Sequence, residues 1–299
     1  MNEDAFENRR PNAWGRWGDR DEAGALNLIG AEQVRRAAAR VRTGQVLSLA
    51  QPLSHRTPVP RHRAPLQHFM GRDGGDYAAG AGRPGGFQFA EDTVVMPLHI
   101  GTHVDALCHA WCDSRLFNNY RENTIRSTVG ATRLGADKLP PAVTRGLLID
   151  VVGQRGRPLN DGEVVSRGDI EACLNQADLR IEPGDALLLH TGWLARQTEL
   201  ATIDFDTEPG IDLEAALWLA RQDVSLVGAD NFAVEVLPFA SGSVFPVHQC
   251  LIRDFGVPLL EGLALDALAA SGRREFLFIA AALPIVGATG SPLTPLAVL

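Results

Sequence analysis

Eight histidines occur in 299 residues, and three of them fall between positions 99 and 109. The segment reads His99-Ile-Gly-Thr-His103-Val-Asp105-Ala-Leu-Cys-His109. In extended backbone, side chains repeat every two residues, so His103 and Asp105 share a face. Gly101 permits a turn that brings His99 round to join them. Neutral imidazoles with a carboxylate are donors suited to a borderline divalent cation such as Zn²⁺ or Mn²⁺. A lone histidine is ordinarily a hydrogen-bonded structural residue, but four donors in His-x₃-His-x-Asp-x₃-His favour a metal site. The zincin pattern is excluded for this pair, because Ile100 holds the position where that mechanism needs a glutamate.

Such an ion lowers the pKa of bound water from about 16 to about 7. It also polarises a carbonyl and stabilises the oxyanion that forms on attack. A proton must then leave the water and reach the leaving nitrogen or oxygen. Histidine titrates in the right range, and His109 is the candidate acid/base. A fourth ligand or a structural hydrogen-bonder is the alternative for His109.

Other residues carry weaker signals. His190 closes an apolar strand before Thr191-Gly192-Trp193, where α/β folds commonly place a site. It lines a pocket or packs in the core. Phe87, Phe89 and Trp111 supply an apolar substrate wall or plain core. Asp230 orients a metal-bound histidine or caps a turn. Cys108 and Cys112 flank His109, but Cys173 and Cys250 are remote, so a four-ligand structural zinc site does not assemble. His55, His62 and His68 lie in polar, Arg-rich sequence and read as solvated.

The elements that must position these residues alternate short apolar strands with helices, the pattern of an α/β domain. Strands are expected at 46–53, 93–98, 146–152, 186–189, 224–227 and 276–284. Helices are expected at 31–41, from Ser166 onward, at 213–222 and at 248–255. Residues 72–86 hold six glycines; they read as an irregular surface loop or a mobile cover over the site. Residues 1–30, with Trp14 and Trp17, read as an arm, and 31–299 as one domain.

Composition excludes several classes. Hydrophobic residues make up 45% and charged residues 21%, which is ordinary globular usage. A net charge of −8 argues against nucleic acid as a partner. No apolar run is long enough for a membrane span. The opening residues are polar and acidic, without the apolar core of a signal peptide, so the expected setting is cytoplasmic. The expected partner is a small-molecule substrate.

The same residues resemble a known family. HIGTHVDALCH matches the His-x-Gly-Thr-His-x-Asp-x-x-x-His signature of the metal-dependent cyclase-like hydrolases, which include bacterial kynurenine formamidases and isatin hydrolases. GDALLLHTGW (184–193), LVGAD (226–230), ALPIVGATGSP (282–292) and GRWGDRDEAGALNL (15–28) resemble further family blocks, in family order. The opening block is similar to that of a longer branch of roughly 300 residues. The resemblance implies a swivelling β/β/α fold and a homodimer or homotetramer. It implies metal ligation by His99, His103 and Asp105, with His248 and Glu261 completing a second metal site, and an acid/base role for His109. It also departs from the family in places. Leu107 stands where proline is common, no arginine accompanies Leu293-Thr294, and the span from His248 to Glu261 is one residue longer than the family spacing. The implied activity is hydrolysis of an amide, lactam or lactone. Metal-assisted ring closure or dehydration through an enolate, and a non-catalytic binding role, are the alternatives.

Overall fold

The computed structural model describes residues 10–200 and 203–299, without the side chains of 199 and 200. A nine-stranded sheet organises it. In chain order its strands are β1 (Val46–Ser48), β2 (His103–Asp105), β3 (Ala142–Asp150), β4 (Ala186–His190), β5 (Leu226–Ala229), β6 (Leu259–Glu261), β7 (Glu275–Ala280), β8 (Gly290–Pro292) and β9 (Leu296–Val298). Their spatial order is β1-β9-β7-β3-β4-β5-β6-β2-β8.

The centre, β3 to β6, is parallel. Its strands are near-continuous Leu, Ile, Val and Ala, as expected where both faces are covered. Leu147, Ile149, Leu187 and Leu189 point into one core cluster, and Leu148, Leu188, Phe276 and Phe278 into the other. Two helices, α2 (Arg167–Gln176) and α3 (Leu213–Arg221), pack residues into the first cluster. Ser166 caps α2, accepting from Asp169 N while Asp169 returns the bond, a capping box. The helix expected near residue 31 is α1 (Ala31–Ala38), and it packs against β3 and β7.

Three expectations are corrected. The stretch at 72–86 is not wholly irregular, because Asp73 caps a short helix, Gly74–Ala78, by accepting from Gly75 N at 2.6 Å. The strand near residue 93, Glu91–Val95, does not join the main sheet. Among the described residues it pairs only with Gln67–Arg72, and this ribbon exposes residues on both faces. The helix at 248–255 is a short α turn, Pro246–His248, running into a π-helix, Gln249–Asp254. A π turn accommodates one residue more than an α turn, and here it falls within the longer span between His248 and Glu261.

Residues 10–30 lie against the body of the same chain. Trp14 donates from Nε1 to the Arg253 carbonyl at 2.8 Å, with the Arg253 guanidinium over its ring. Ala25 and Leu26 are buried.

Candidate functional site

The site forms where the sheet turns antiparallel, at β6, β2 and β8. Register sets Glu261 opposite His103, and Leu259 and Gly290 opposite Asp105. Gly101 makes the turn ahead of β2 with φ +53°, and a Cβ there would lie 2.5 Å from Leu53. Gly290 is a second requirement, since a Cβ would lie 2.5 Å from the His99 ring.

Asp105 is the hub. Its Oδ1 lies 2.7 Å from His99 Nδ1 and 3.7 Å from His103 Nε2. Its Oδ2 lies 3.7 Å from His248 Nε2 and 3.9 Å from His109 Nε2. Glu261 closes the far side, with Oε2 3.1 Å from His103 Nε2 and Oε1 3.4 Å from His248 Nε2. Two sets of ligand atoms converge, His99-Asp105-His109 and His103-Asp105-Glu261. All six residues expected from the sequence therefore stand together.

The imidazoles are oriented from behind. His103 Nδ1 is 3.0 Å from the Gly101 carbonyl, so Nδ1 donates there and Nε2 is turned toward the carboxylates. His248 Nδ1 is held the same way by Glu235 Oε1 at 2.5 Å, and Glu235 also accepts from Val247 N and His248 N. His99 has Asp105 on Nδ1 and Thr289 Oγ1 on Nε2 at 3.0 Å. His103 Nε2 and Asp105 Oδ2 are buried without a hydrogen-bond partner. Buried polar atoms are normally satisfied, so this convergent, unsatisfied pair fits a cation.

Electrostatics point the same way. Burial opposes charge on Asp105, yet His109, His99 and His103 hold its carboxyl far below the usual range. Burial and Asp105 oppose charge on Glu261, but His103 and His248 keep it low. Burial also opposes a charged His248, but Glu235 and Glu261 raise it to about 10. Positive charge is favoured here, and in the chain alone protons on imidazole supply it. His109 differs: burial, reinforced by His99 and His248, lowers it to about 4.

A cavity of about 1030 Å³ opens above this cluster. His109, His248 and Glu261 line it together with Trp111, Phe205 and Phe232 and with Arg61, His62 and Arg63. Phe205 and Phe232 meet edge to face at 4.9 Å, an apolar surface suited to a small molecule.

Some expected residues lie elsewhere. Phe87 and Phe89 stack on each other at 5.8 Å beside the exposed ribbon and do not line the cavity. That ribbon stands off the sheet, so the pair lies outside the site. Asp230 accepts from Thr191 N, Thr191 Oγ1 and Gly192 N; it caps a turn and orients no ligand histidine. Cys108 is buried, which pushes its thiol up to about 12 and argues against a nucleophile. Glu235, Thr289 and Gly290 were not anticipated. A glutamate inside the apolar run Ala233-Val-Glu235-Val-Leu237 was the one available signal.

His190 is also outside the cavity. It pairs through Nδ1 with Asp150 at 2.8 Å, on the neighbouring strand, and Asp266 lies 3.5 Å from Nε2. Burial opposes its charge, but Asp150 and Asp266 raise its pKa from 6.5 to about 9. A raised pKa stabilises the fold below the unfolded value and ceases to do so as pH rises through the folded value. The contribution is therefore full below about pH 6.5 and lost by about pH 9, on the order of 3 kcal/mol at ~1.4 kcal/mol per unit. Denaturant titrations of the wild type and His190→Gln should show a stability gap that is wide at pH 6 and narrows toward pH 9.5. A gap independent of pH would contradict this account.

Among the described residues, no helix is long and apolar enough to cross a membrane. No curated protein matches the chain. Several solved structures do, three of them as follows. One, described as a novel cyclase, is 37% identical with a TM-score of 0.90, over 97% of this chain and all of that one. Isatin hydrolase A from Ralstonia solanacearum is 25% identical with a TM-score of 0.64, over 89% of this chain and 95% of that one. A protein from Bacillus stearothermophilus described as a predicted metal-dependent hydrolase is similar in fold alone, at 21% identity and a TM-score of 0.55, over 85% and 97% of the two chains. The model of a family described as putative cyclases matches residues 47–236, a span that contains β2 and its His-Asp cluster, and the chain belongs to that family.

Proposed function

We propose that this protein is a metal-dependent hydrolase that uses water to open the carbonyl of an amide, lactam or lactone. One observation carries the reading. The Nε2 atoms of His103 and His248 face the Asp105 and Glu261 carboxylates beneath an aromatic cavity. His99, His103 and Asp105 are assigned as ligands, and His248 and Glu261 as further ligands that extend the site to two ions. The donor set suits Zn²⁺ or Mn²⁺. Once bound, the ion acidifies water and polarises the substrate carbonyl.

The chain's own residues do the rest. His109 is the only one of the three clustered histidines to line the cavity. Its depressed pKa leaves it neutral at neutral pH, so its ring accepts the water's proton and passes one to the leaving nitrogen or oxygen. Glu235 and the Gly101 carbonyl hold two imidazoles in the tautomer that presents Nε2 inward. Phe205, Phe232 and Trp111 flank the substrate and limit access of bulk water.

Turnover in ¹⁸O-water tests the reaction class. A panel of N-formyl amines, cyclic amides and lactones should yield an acid carrying one solvent oxygen. A product without ¹⁸O would instead support ring closure or dehydration. Failure to turn over any member, with metal bound, would leave a binding protein.

The working form is proposed to be a homodimer or homotetramer. The ribbon at 67–72 and 91–95 exposes Phe69, Met70, Val94 and Val95, and an isolated two-stranded ribbon is only marginally stable. Four free cysteines suit a reducing, cytoplasmic setting.

A further inference from the structure

A half-buried guanidinium lines the cavity without an acidic partner. Arg63 donates from Nη1 to the His99 carbonyl at 2.6 Å, and its Cζ lies 5.9 Å from the centre of the Phe232 ring. Both side chains line the cavity. Among the described residues, no carboxylate pairs with Arg63. Other inward arginines are matched: Arg145 has Asp185 at 2.6 Å, and Arg253 has Asp254 at 2.6 Å.

A guanidinium carries five N–H donors, and the His99 carbonyl engages one nitrogen. The Arg63 side chain is half withdrawn from water, and a cavity is where a ligand can supply the missing counter-charge. The planar fork matches a carboxylate in a two-point contact. Arg61 adds charge of the same sign, while Asp204, Asp206 and Glu208 line the same cavity without an ion pair to Arg63. Arg63 is bonded to the backbone of His99, and an anion seated on it is held in the same cavity that His109 lines.

We propose that Arg63 determines specificity by seating a carboxylate carried by the substrate, so that the substrate class is an acidic amide, lactam or lactone. The inference rests on the hydrolase reading above. Its test is binding, which does not need turnover. The metal-loaded full chain is titrated calorimetrically with phthalate and with neutral dimethyl phthalate, as wild type, Arg63→Gln and Arg63→Lys. Loss of a charge-assisted contact should weaken phthalate roughly tenfold to a hundredfold in Arg63→Gln. Arg63→Lys should recover part of that loss, while dimethyl phthalate binding and metal content stay unchanged. Equal phthalate affinity in Arg63→Gln, or no phthalate binding to wild type, overturns the proposal. So does a loss shared by dimethyl phthalate or accompanied by metal loss, which would make Arg63 only a brace for His99. Failure of the hydrolase reading looks different: no turnover of any panel member, with Arg63-dependent phthalate binding intact.

Discussion

His109→Ala is expected to lower kcat by about 10²- to 10⁴-fold, the usual worth of a positioned acid/base, while metal content stays at the wild-type level. The ring sits on the turn that follows β2, where His109 N bonds to the Ala106 carbonyl at 2.8 Å. Its centre is 4.2 Å from that of His99 and 6.2 Å from that of His248. The side chain is 28% exposed, against 0% for His103 and 1% for Asp105, so it alone of the three can meet a substrate and a buried ligand set together. Burial lowers its pKa to about 4, and a cation nearby lowers an imidazole further. The proton-accepting form is therefore present throughout neutral pH. The acidic limb of the wild-type profile due to His109 belongs at or below about pH 4. Kinetics and metal analysis on the same preparation decide between the two roles open to this residue. Metal lost along with activity would make His109 a ligand. Activity lost with metal retained supports proton transfer.

The sequence was most informative where neighbours in space are neighbours in the chain. His103 and Asp105 share a face because β2 is extended, and Gly101 turns the backbone as its residue type suggests. The central strands were legible because strands buried on both faces must be apolar throughout. Partners from distant segments that no family block marks were not legible. Thr289 meets His99 across 190 positions, and Arg63 reaches the His99 carbonyl across 36. Neither spacing has a local pattern. Of the two readings of His190, core packing is the one the structure shows, for a definite reason. The expectation that sites lie at the carboxyl ends of parallel strands pointed to β4, whose last residue pairs in register with Asp150. The cluster instead occupies the antiparallel strands β6, β2 and β8, where Glu261 faces His103. Phe87 and Phe89 were misread because aromatic residues in a cavity wall and in a projecting ribbon look alike in one dimension.

Asp105→Asn is expected to abolish metal binding and, with it, the thermal response to metal. Both convergent donor sets include Asp105, so one substitution removes a ligand from each. In the wild type, an ion at about a hundred times its Kd adds about 2.7 kcal/mol to stability. At about 2–4 °C per kcal/mol for chains of moderate size, metal loading should raise Tm by roughly 5–10 °C. Chelation should reverse the shift. Asp105→Asn should show a shift below about 1 °C, by the same linkage. The metal-free variant should itself be less stable than the metal-free wild type, because His99 and His103 lose the carboxylate that faces them. Removing one member of a buried charged pair costs about 3–5 kcal/mol. The wild-type affinity should also rise with pH, since protons on His248, whose pKa is near 10, compete with the ion for the same Nε2. Scanning calorimetry with and without chelator, on both proteins and at two pH values, measures all of this. A metal-dependent shift of equal size in Asp105→Asn would show that the ion binds elsewhere, and the water chemistry assigned to this cluster would lose its physical basis.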